Sequence, residues 1–307
     1  MLDRKILEEI INRISNRTGI RPEILEKDYY VCLVLRDLAS RQNELKAYFK
    51  GGTALYKILK EFHRFSEDID LTVLQDGTNA NNRKRLKDSV LKYDLPGLKL
   101  DIESKDDRKA SVSASYLYSS IFSLSKLYKT GRIEIESTSF TISEPIGEYE
   151  IEYLIYQEAS KEEKEKLEEL GIRPFGIKTV KLERIFIDKI FATEFYLERK
   201  EYGDVSKHLY DIVTLLKRKE ILELLDDRKK LAYLIGLKRN EEKRRSGGVS
   251  KKLKICDFKY FKQEMMDKIY PHFDDMQKRY IITDDFIMQK DKLEKGIKFI
   301  KEKLKNF

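Results

Sequence analysis

Residues 49–73, FKGGTALYKILKEFHRFSEDIDLTV, hold two short patterns separated by one helix-length segment. The first is Lys50-Gly51-Gly52-Thr53. It lies between a short β-type segment around Ala47–Phe49 and a helix-like stretch, Ala54–Phe62. A glycine pair there lets backbone amides approach an anion closely, and the following helix turns its positive end to the same place. Taken alone, this is also what an ordinary turn looks like, with Thr53 as a helix N-cap. The second pattern is Ser66-Glu67-Asp68-Ile69-Asp70-Leu71. Asp68 and Asp70 are two residues apart on a strand, so both carboxylates leave one face while Ile69 and Leu71 take the other. Like charges that close repel. An exposed strand end tolerates them, and so does a site where a divalent cation neutralises them. A strand end alone accounts for the acids but not for the glycine turn one short helix upstream. Together the two patterns specify a place for a nucleoside triphosphate and Mg²⁺.

Upstream of this stretch the chain reads as helix. Leu2, Ile6, Ile10 and Ile14 recur at helical spacing, Gly19 is placed to end that helix, and Pro22 sits where a first-turn proline belongs. Downstream, β-type segments are expected at Ile69–Val73, Leu98–Glu103, Ser111–Tyr118 and Arg132–Ser137, with a helix at Asn82–Tyr93. From Ile151 the pattern changes. Residues 161–170, KEEKEKLEEL, make a charged helix, and almost everything after Leu182 is helical. The expected fold class is therefore α/β (α+β): a small mixed sheet flanked by a helical N-terminal arm and a helical C-terminal half. The expected division is residues 1–150 for the helices plus sheet and 151–307 for the helical domain, with Pro145 and Gly147 as punctuation.

Composition narrows the class. The 307 residues are 41% hydrophobic and 38% charged, which describes a globular chain with a heavily charged surface. No apolar run approaches the roughly 20 residues that span a bilayer, and the N-terminus opens without an apolar signal region. Cys32 and Cys256 lie far apart in no metal-like spacing and read as reduced thiols of a cytoplasmic protein. Net charge is +8, and the densest basic run, Lys238–Lys254, sets eight basic residues against two acidic ones. That run suits RNA phosphates, and it equally suits a solvated loop around Gly247-Gly248.

A third carboxylate is expected from a neighbouring strand. Arg132-Ile133-Glu134-Ile135-Glu136 alternates strictly, placing Glu134 and Glu136 on one face. Asp101, on a segment that alternates as well, is the rival to Glu134. An ordinary solvated strand face accounts for either.

The quoted stretch resembles the motif of the AbiEii/AbiGii toxin family of nucleotidyltransferases, within the wider polymerase-β-like superfamily. The resemblance continues in family order through Leu25-Glu26-Lys27-Asp28-Tyr29-Tyr30, then Leu182–Ala192, then Lys207-His208-Leu209-Tyr210-Asp211-Ile212. It spans residues 25–215; residues 216–307 carry no motif. It implies a Mg²⁺-dependent enzyme of a bacterial toxin–antitoxin or abortive-infection system that transfers a nucleoside monophosphate from an NTP to RNA, the tRNA 3′ end, and blocks translation. It further implies a cognate antitoxin with a winged-helix domain. The family pattern selects Glu134 to join Asp68 and Asp70 as metal ligands. It implies nucleotide contacts from Gly51, Gly52, Thr53 and Ser66, and from Lys189 and Thr193, which share a helix face. Lys189 and Asp211 complete the implied catalytic set, whereas His208 is read as structural or substrate-contacting. Without the resemblance, Lys189 reads as a surface lysine and Asp211 as a helix-pairing residue. Two other readings compete: transfer to a protein hydroxyl or a small molecule, and a binding module whose catalytic site has decayed.

Overall fold

The structure, a computed structural model, describes residues 3–61, 64–122 and 131–307; Leu2, Phe62 and His63 lie outside them. Two compact units follow one another along the chain, Met1–Val180 and Lys181–Phe307.

The first unit opens with α1 (Arg4–Thr18), capped by Asp3 Oδ1, which accepts from Lys5 N at 2.9 Å, and closed by Gly19 at φ 73°. Then α2 (Pro22–Leu45) begins on Pro22 and buries most of its length, including three charged residues, Glu26, Lys27 and Asp28. After it come β1 (Ala47–Lys50), α3 (Gly51–Leu59), β2 (Ile69–Val73), α4 (Asn79–Leu91), β3 (Lys99–Arg108), β4 (Ser111–Leu117), β5 (Arg132–Thr138) and β6 (Ile146–Ile151). The unit ends with α5 (Leu154–Gln157), α6 (Lys161–Glu169) and β7 (Phe175–Val180). A capping box between Ser160 and Glu163 starts α6. The strands form one mixed sheet in the order β3-β4-β5-β2-β1-β7-β6. Its centre holds the parallel pairs β2–β5 and β1–β7, joined by the antiparallel pair β1–β2.

Strand alternation separates the two faces of this sheet. Ile69, Leu71, Val112, Ala114, Tyr116, Ile133 and Ile135 are buried, α4 packs on β2, β4 and β5, and α2 packs on β1, β5 and β7. Each such aliphatic side chain contributes about 1.5–3 kcal/mol when fully buried. The register Ile69↔Ile135, Asp70↔Glu136 and Ser113↔Glu136 then places the acids and serines together on the other face.

Two strands, β6 and β7, were not expected from the sequence. Both are short, and Gly147 and Gly176 interrupt their alternation. Because β7 pairs with β1 near the centre of the sheet, the first unit runs on to Val180 rather than closing near residue 150. The turn-flanking helices also start earlier than expected: α3 at Gly51 itself, and α4 at Asn79, where Thr78 Oγ1 accepts from Asn81 N at 3.3 Å.

The second unit is helical: α7 (Leu182–Glu198), α8 (Tyr202–Leu215), α9 (Lys219–Asp226), α10 (Arg228–Glu242), α11 (Gln263–Tyr280) and α12 (Lys290–Lys303). Against α7 pack α8, α9 and α10, while α8 also packs against α11 and α12. The core includes Ile185, Phe186, Ile190, Phe191, Leu209 and Ile212. No described helix is long and apolar enough to cross a membrane.

Candidate active site

The glycine turn and the acids meet at the junction of β1, α3 and β2. Lys50 is the register partner of Asp70, so α3 starts directly beside the second aspartate. Gly51 has φ +81°, and a Cβ there would run into the Asp70 carboxylate. A Cβ on Gly52 would come within 2.7 Å of Ser66 Oγ. Glycine is therefore required twice, once for backbone conformation and once for close approach. The N-terminal amides of α3 thus lie against both the acidic strand and the segment leading to it.

Thr53 does not cap this helix; Lys50 holds the N-cap position. The Thr53 hydroxyl is buried, lies 3.1 Å from Ser66 Oγ, and donates to the Asp68 carbonyl oxygen at 2.6 Å. It fixes the Ser66–Asp68 segment onto α3 and thereby sets where the Asp68 carboxylate emerges.

Asp68, Asp70, Glu134 and Glu136 line one cavity of about 370 Å³, with Arg132, Ser104, Ser113 and Ser115 on its remaining wall. The pKa of Asp68 is raised to about 7 by desolvation, then by the negative charges of Asp70, Glu67 and Glu134, with Lys27 acting in the opposite sense. Because the side chain is open to solvent, the repulsion is the more durable of these causes. Asp101 is on β3 opposite Ser115, 3.5 Å from Arg132 Nη2, and does not line the cavity that holds Asp68 and Asp70.

A cation suits this cavity by charge, since four carboxylates face one guanidinium. Among the described residues, no three His, Cys, Asp or Glu side chains are yet close enough together to ligate one ion.

Charged residues of α2 that sequence reasoning left without a role support the site from behind. Lys27 Nζ pairs with Glu67 Oε2 at 2.5 Å, and Lys57 Nζ pairs with Asp28 Oδ1 at 2.5 Å with both side chains buried. Asp28 Oδ2 also accepts from Leu154 N at 2.6 Å, while Lys57 donates to Glu152 O at 2.8 Å. Burial would lower the Lys57 pKa, but Asp28 holds it raised. These bonds lock α3 to α2 and α5, and hence lock the glycine turn. Their signal in the sequence was a run of charges, Glu26-Lys27-Asp28, directly before the apolar stretch Tyr29–Leu35 of the same helix. Glu26 accepts from Ile121 N at 2.7 Å and from Ser120 Oγ at 2.6 Å.

In the helical unit, Lys189 is not at the surface: it is buried, with its Nζ 2.8 Å from Asp211 Oδ2, an atom of a fully buried side chain. Thr193 is also buried and donates to Lys189 O at 2.8 Å within its own helix. The ring of His208 stacks on Tyr196 at 5.3 Å between centroids. The basic run Lys238–Lys254 is divided rather than continuous. Lys238 is buried against Glu241 and Glu242 at 3.1 and 3.0 Å, and Arg239 folds back to donate to the Leu253 carbonyl at 2.8 Å. Lys243, Arg244, Lys251, Lys252 and Lys254 stay exposed.

Residues 33–288 match the family described as nucleotidyl transferase AbiEii toxin, type IV TA system. The chain belongs to that family. It is a nucleotidyltransferase toxin of a toxin–antitoxin system, with a nucleoside triphosphate as substrate and an antitoxin as partner. Its fold is similar to that of MenT4, a nucleotidyltransferase toxin from Mycobacterium tuberculosis H37Rv. The TM-score is 0.51 at 12% identity, covering 98% of this chain and 99% of that one. No protein of curated function matches the chain by sequence.

Proposed function

We propose that this AbiEii-family toxin transfers a nucleoside monophosphate from an NTP to RNA, the tRNA 3′ end in particular, in a Mg²⁺-dependent reaction that blocks translation in the cytoplasm. The observation that carries the reading is the contact between the Gly51-Gly52 turn and the Asp68/Asp70 segment, with Glu134 on the adjoining strand. Asp68, Asp70 and Glu134 would hold the cation, which would neutralise the triphosphate and polarise the acceptor hydroxyl. The amides of Gly51 and Gly52 receive β- and γ-phosphate oxygens at the positive end of α3, assisted by Ser66. Thr53 keeps Asp68 in register.

The family pattern adds Lys189 and Asp211 to the catalytic set and Thr193 to the nucleotide contacts. Within the helical unit Asp211 orients the Lys189 side chain at 2.8 Å, and Thr193 donates to the Lys189 carbonyl in the same helix. The acceptor oxygen attacks the α-phosphorus, forming the new P–O bond as the α–β bridging bond breaks. Pyrophosphate leaves with the electron pair, and the hydroxyl proton passes to a carboxylate of the cluster. The exposed lysines and arginines of 243–254 add charge for the RNA backbone, and the cognate antitoxin carries a winged-helix domain.

Incubating the toxin with each α-labelled NTP, Mg²⁺ and a cell extract tests this directly. Label should enter RNA, disappear with EDTA, and fall on the order of 10³-fold in Asp70→Asn, which should also relieve growth inhibition. Label found only in protein or in small molecules would instead establish one of the other acceptors.

A further inference from the structure

The sheet order gives the active site a direction. The glycine turn adjoins β2 from the β1 side, while β5, β4 and β3 extend from β2 the other way. Asp68 and Asp70 lie between those two sides. In nucleotidyl transfer the attacking and leaving oxygens are roughly in line through the α-phosphorus. If β- and γ-phosphates rest on the glycine turn, the acceptor hydroxyl has to arrive over β5 and β4.

The wall on that side is polar and, among the described residues that line the cavity, contains one cation. Arg132 shares its face of β5 with Glu134 and Glu136, and its Nη2 donates to Ser115 Oγ at 2.7 Å and lies 3.5 Å from Asp101 Oδ2. Ser115 is itself fixed, its N–H donating to Ser104 Oγ at 2.8 Å. The guanidinium is thus held in place, yet its capacity is not used up. Only Nη2 of the guanidinium makes a hydrogen bond among the described residues; Nε is buried 3.9 Å from Glu134 Oε1, which leaves the outer edge of the group to meet a ligand. One third of the side chain remains accessible, at the edge of the cavity that contains the catalytic acids.

We infer that Arg132, oriented by Ser115 and flanked by Ser113, forms the acceptor subsite and binds a phosphate of the RNA strand next to its terminal ribose. The inference rests on the RNA-acceptor reading above and assigns the side from which that acceptor enters. A guanidinium suits the task because it is always charged and can offer a phosphate two parallel donors. Among the described residues that line this cavity, Arg132 is the one cation that offsets the four carboxylates.

The test is steady-state kinetics with purified bacterial tRNA and NTP varied separately, on wild type, Arg132→Ala, Arg132→Lys and Ser115→Ala. Arg132→Ala should raise KM for tRNA by about 10-fold while KM for NTP stays within about 2-fold, as loss of one phosphate contact requires. Its log–log salt dependence of tRNA binding should be shallower by about 0.7, the value per contact on a single strand. Arg132→Lys should recover part of the tRNA KM and all of the salt slope. Ser115→Ala, which leaves every charge in place, should raise KM for tRNA by about 3-fold and keeps the test usable should Arg132→Ala fail to fold. Equal changes in both KM values, or a change in kcat alone, would overturn the subsite while leaving RNA transfer standing. A wild-type enzyme that labels no RNA would overturn both.

Discussion

The helical unit and the acidic cavity of the sheet unit use the same charged residue types in opposite ways. In the helical unit, Arg184, Lys189 and Lys238 are buried, and each is within hydrogen-bonding reach of a buried carboxylate from Glu241, Asp211 or Glu242. In the sheet unit, Asp68, Asp70, Glu134 and Glu136 share one open cavity with a single arginine, and Asp68 is driven to a pKa of about 7. Compensated charges hold helices in place. Acids gathered without enough counter-charge, as around Asp68, store an attraction for a cation, or for a substrate that brings one. The two arrangements make opposite contributions to stability, and that can be tested at single residues.

The largest effect should come from opening a compensated pair. Asp211→Asn leaves the Lys189 ammonium buried against a neutral amide, which costs about 3–5 kcal/mol. It should appear in urea unfolding as a clear fall in midpoint. Asp211→Asn combined with Lys189→Met should recover much of that loss, because the stranded charge is gone. Asp70→Asn, by contrast, removes a repulsion and should leave the unfolding midpoint unchanged or higher. If Asp211→Asn costs less than about 1 kcal/mol, the pair is not a structural element and the contrast between the units fails.

The same contrast explains what could be read from the chain beforehand. Asp68 and Asp70 were legible because their alternation with Ile69 and Leu71 assigns faces without any tertiary knowledge, and the glycine pair because only glycine meets such a turn. Lys189 was singled out only through the family pattern, and its burial was not legible, since helical spacing does not reveal which partner closes over a face. The run Lys238–Lys254 looked like one basic loop because charge counting along the chain cannot see Lys238 turn inward to Glu241 and Glu242. Strands β6 and β7 were hidden for a related reason. FGIKTV is an interior strand whose ladder partners, β1 and β6, and whose covering helix α2 all lie elsewhere in the sequence. The supports Lys27–Glu67 and Asp28–Lys57 join residues 40 and 29 positions apart, beyond the reach of any local pattern.

A smaller effect separates the glycine packed against Asp70 from a merely conformational one. Gly19 and Gly51 both have positive φ, 73° and 81°. An added Cβ meets nothing within 4 Å at Gly19, whereas at Gly51 it meets the Asp70 carboxylate. Gly19→Ala should therefore cost about 1–2 kcal/mol of stability and leave nucleotide transfer unchanged. Gly51→Ala should cost at least as much and also displace Asp70, lowering transfer on the order of 10²-fold. Equal transfer rates for the two variants would mean that the approach of Gly51 to Asp70 has no catalytic consequence.

The finest test reads the repulsion itself. Asp68 has its pKa raised in the folded protein, to about 7 from an ordinary value of 3.8, so its ionised form is disfavoured by folding. Below pH 4 both folded and unfolded chains keep the proton, and the group has no effect. As pH rises from 4 to 7 the unfolded chain releases its proton first, and stability is lost across that window, levelling off above pH 7. Asp68→Asn has no such proton. In metal-free buffer its melting temperature should therefore gain on wild type between pH 5 and pH 8, by a few degrees at most because the carboxylate is open to solvent. Adding Mg²⁺ at pH 8 should then narrow the gap, since only the wild type has the full cluster to neutralise. A gap that is independent of pH would place Asp68 among compensated charges like those of the helical unit. A gap that opens with pH but ignores Mg²⁺ would keep the repulsion and assign the cluster to something other than a divalent cation.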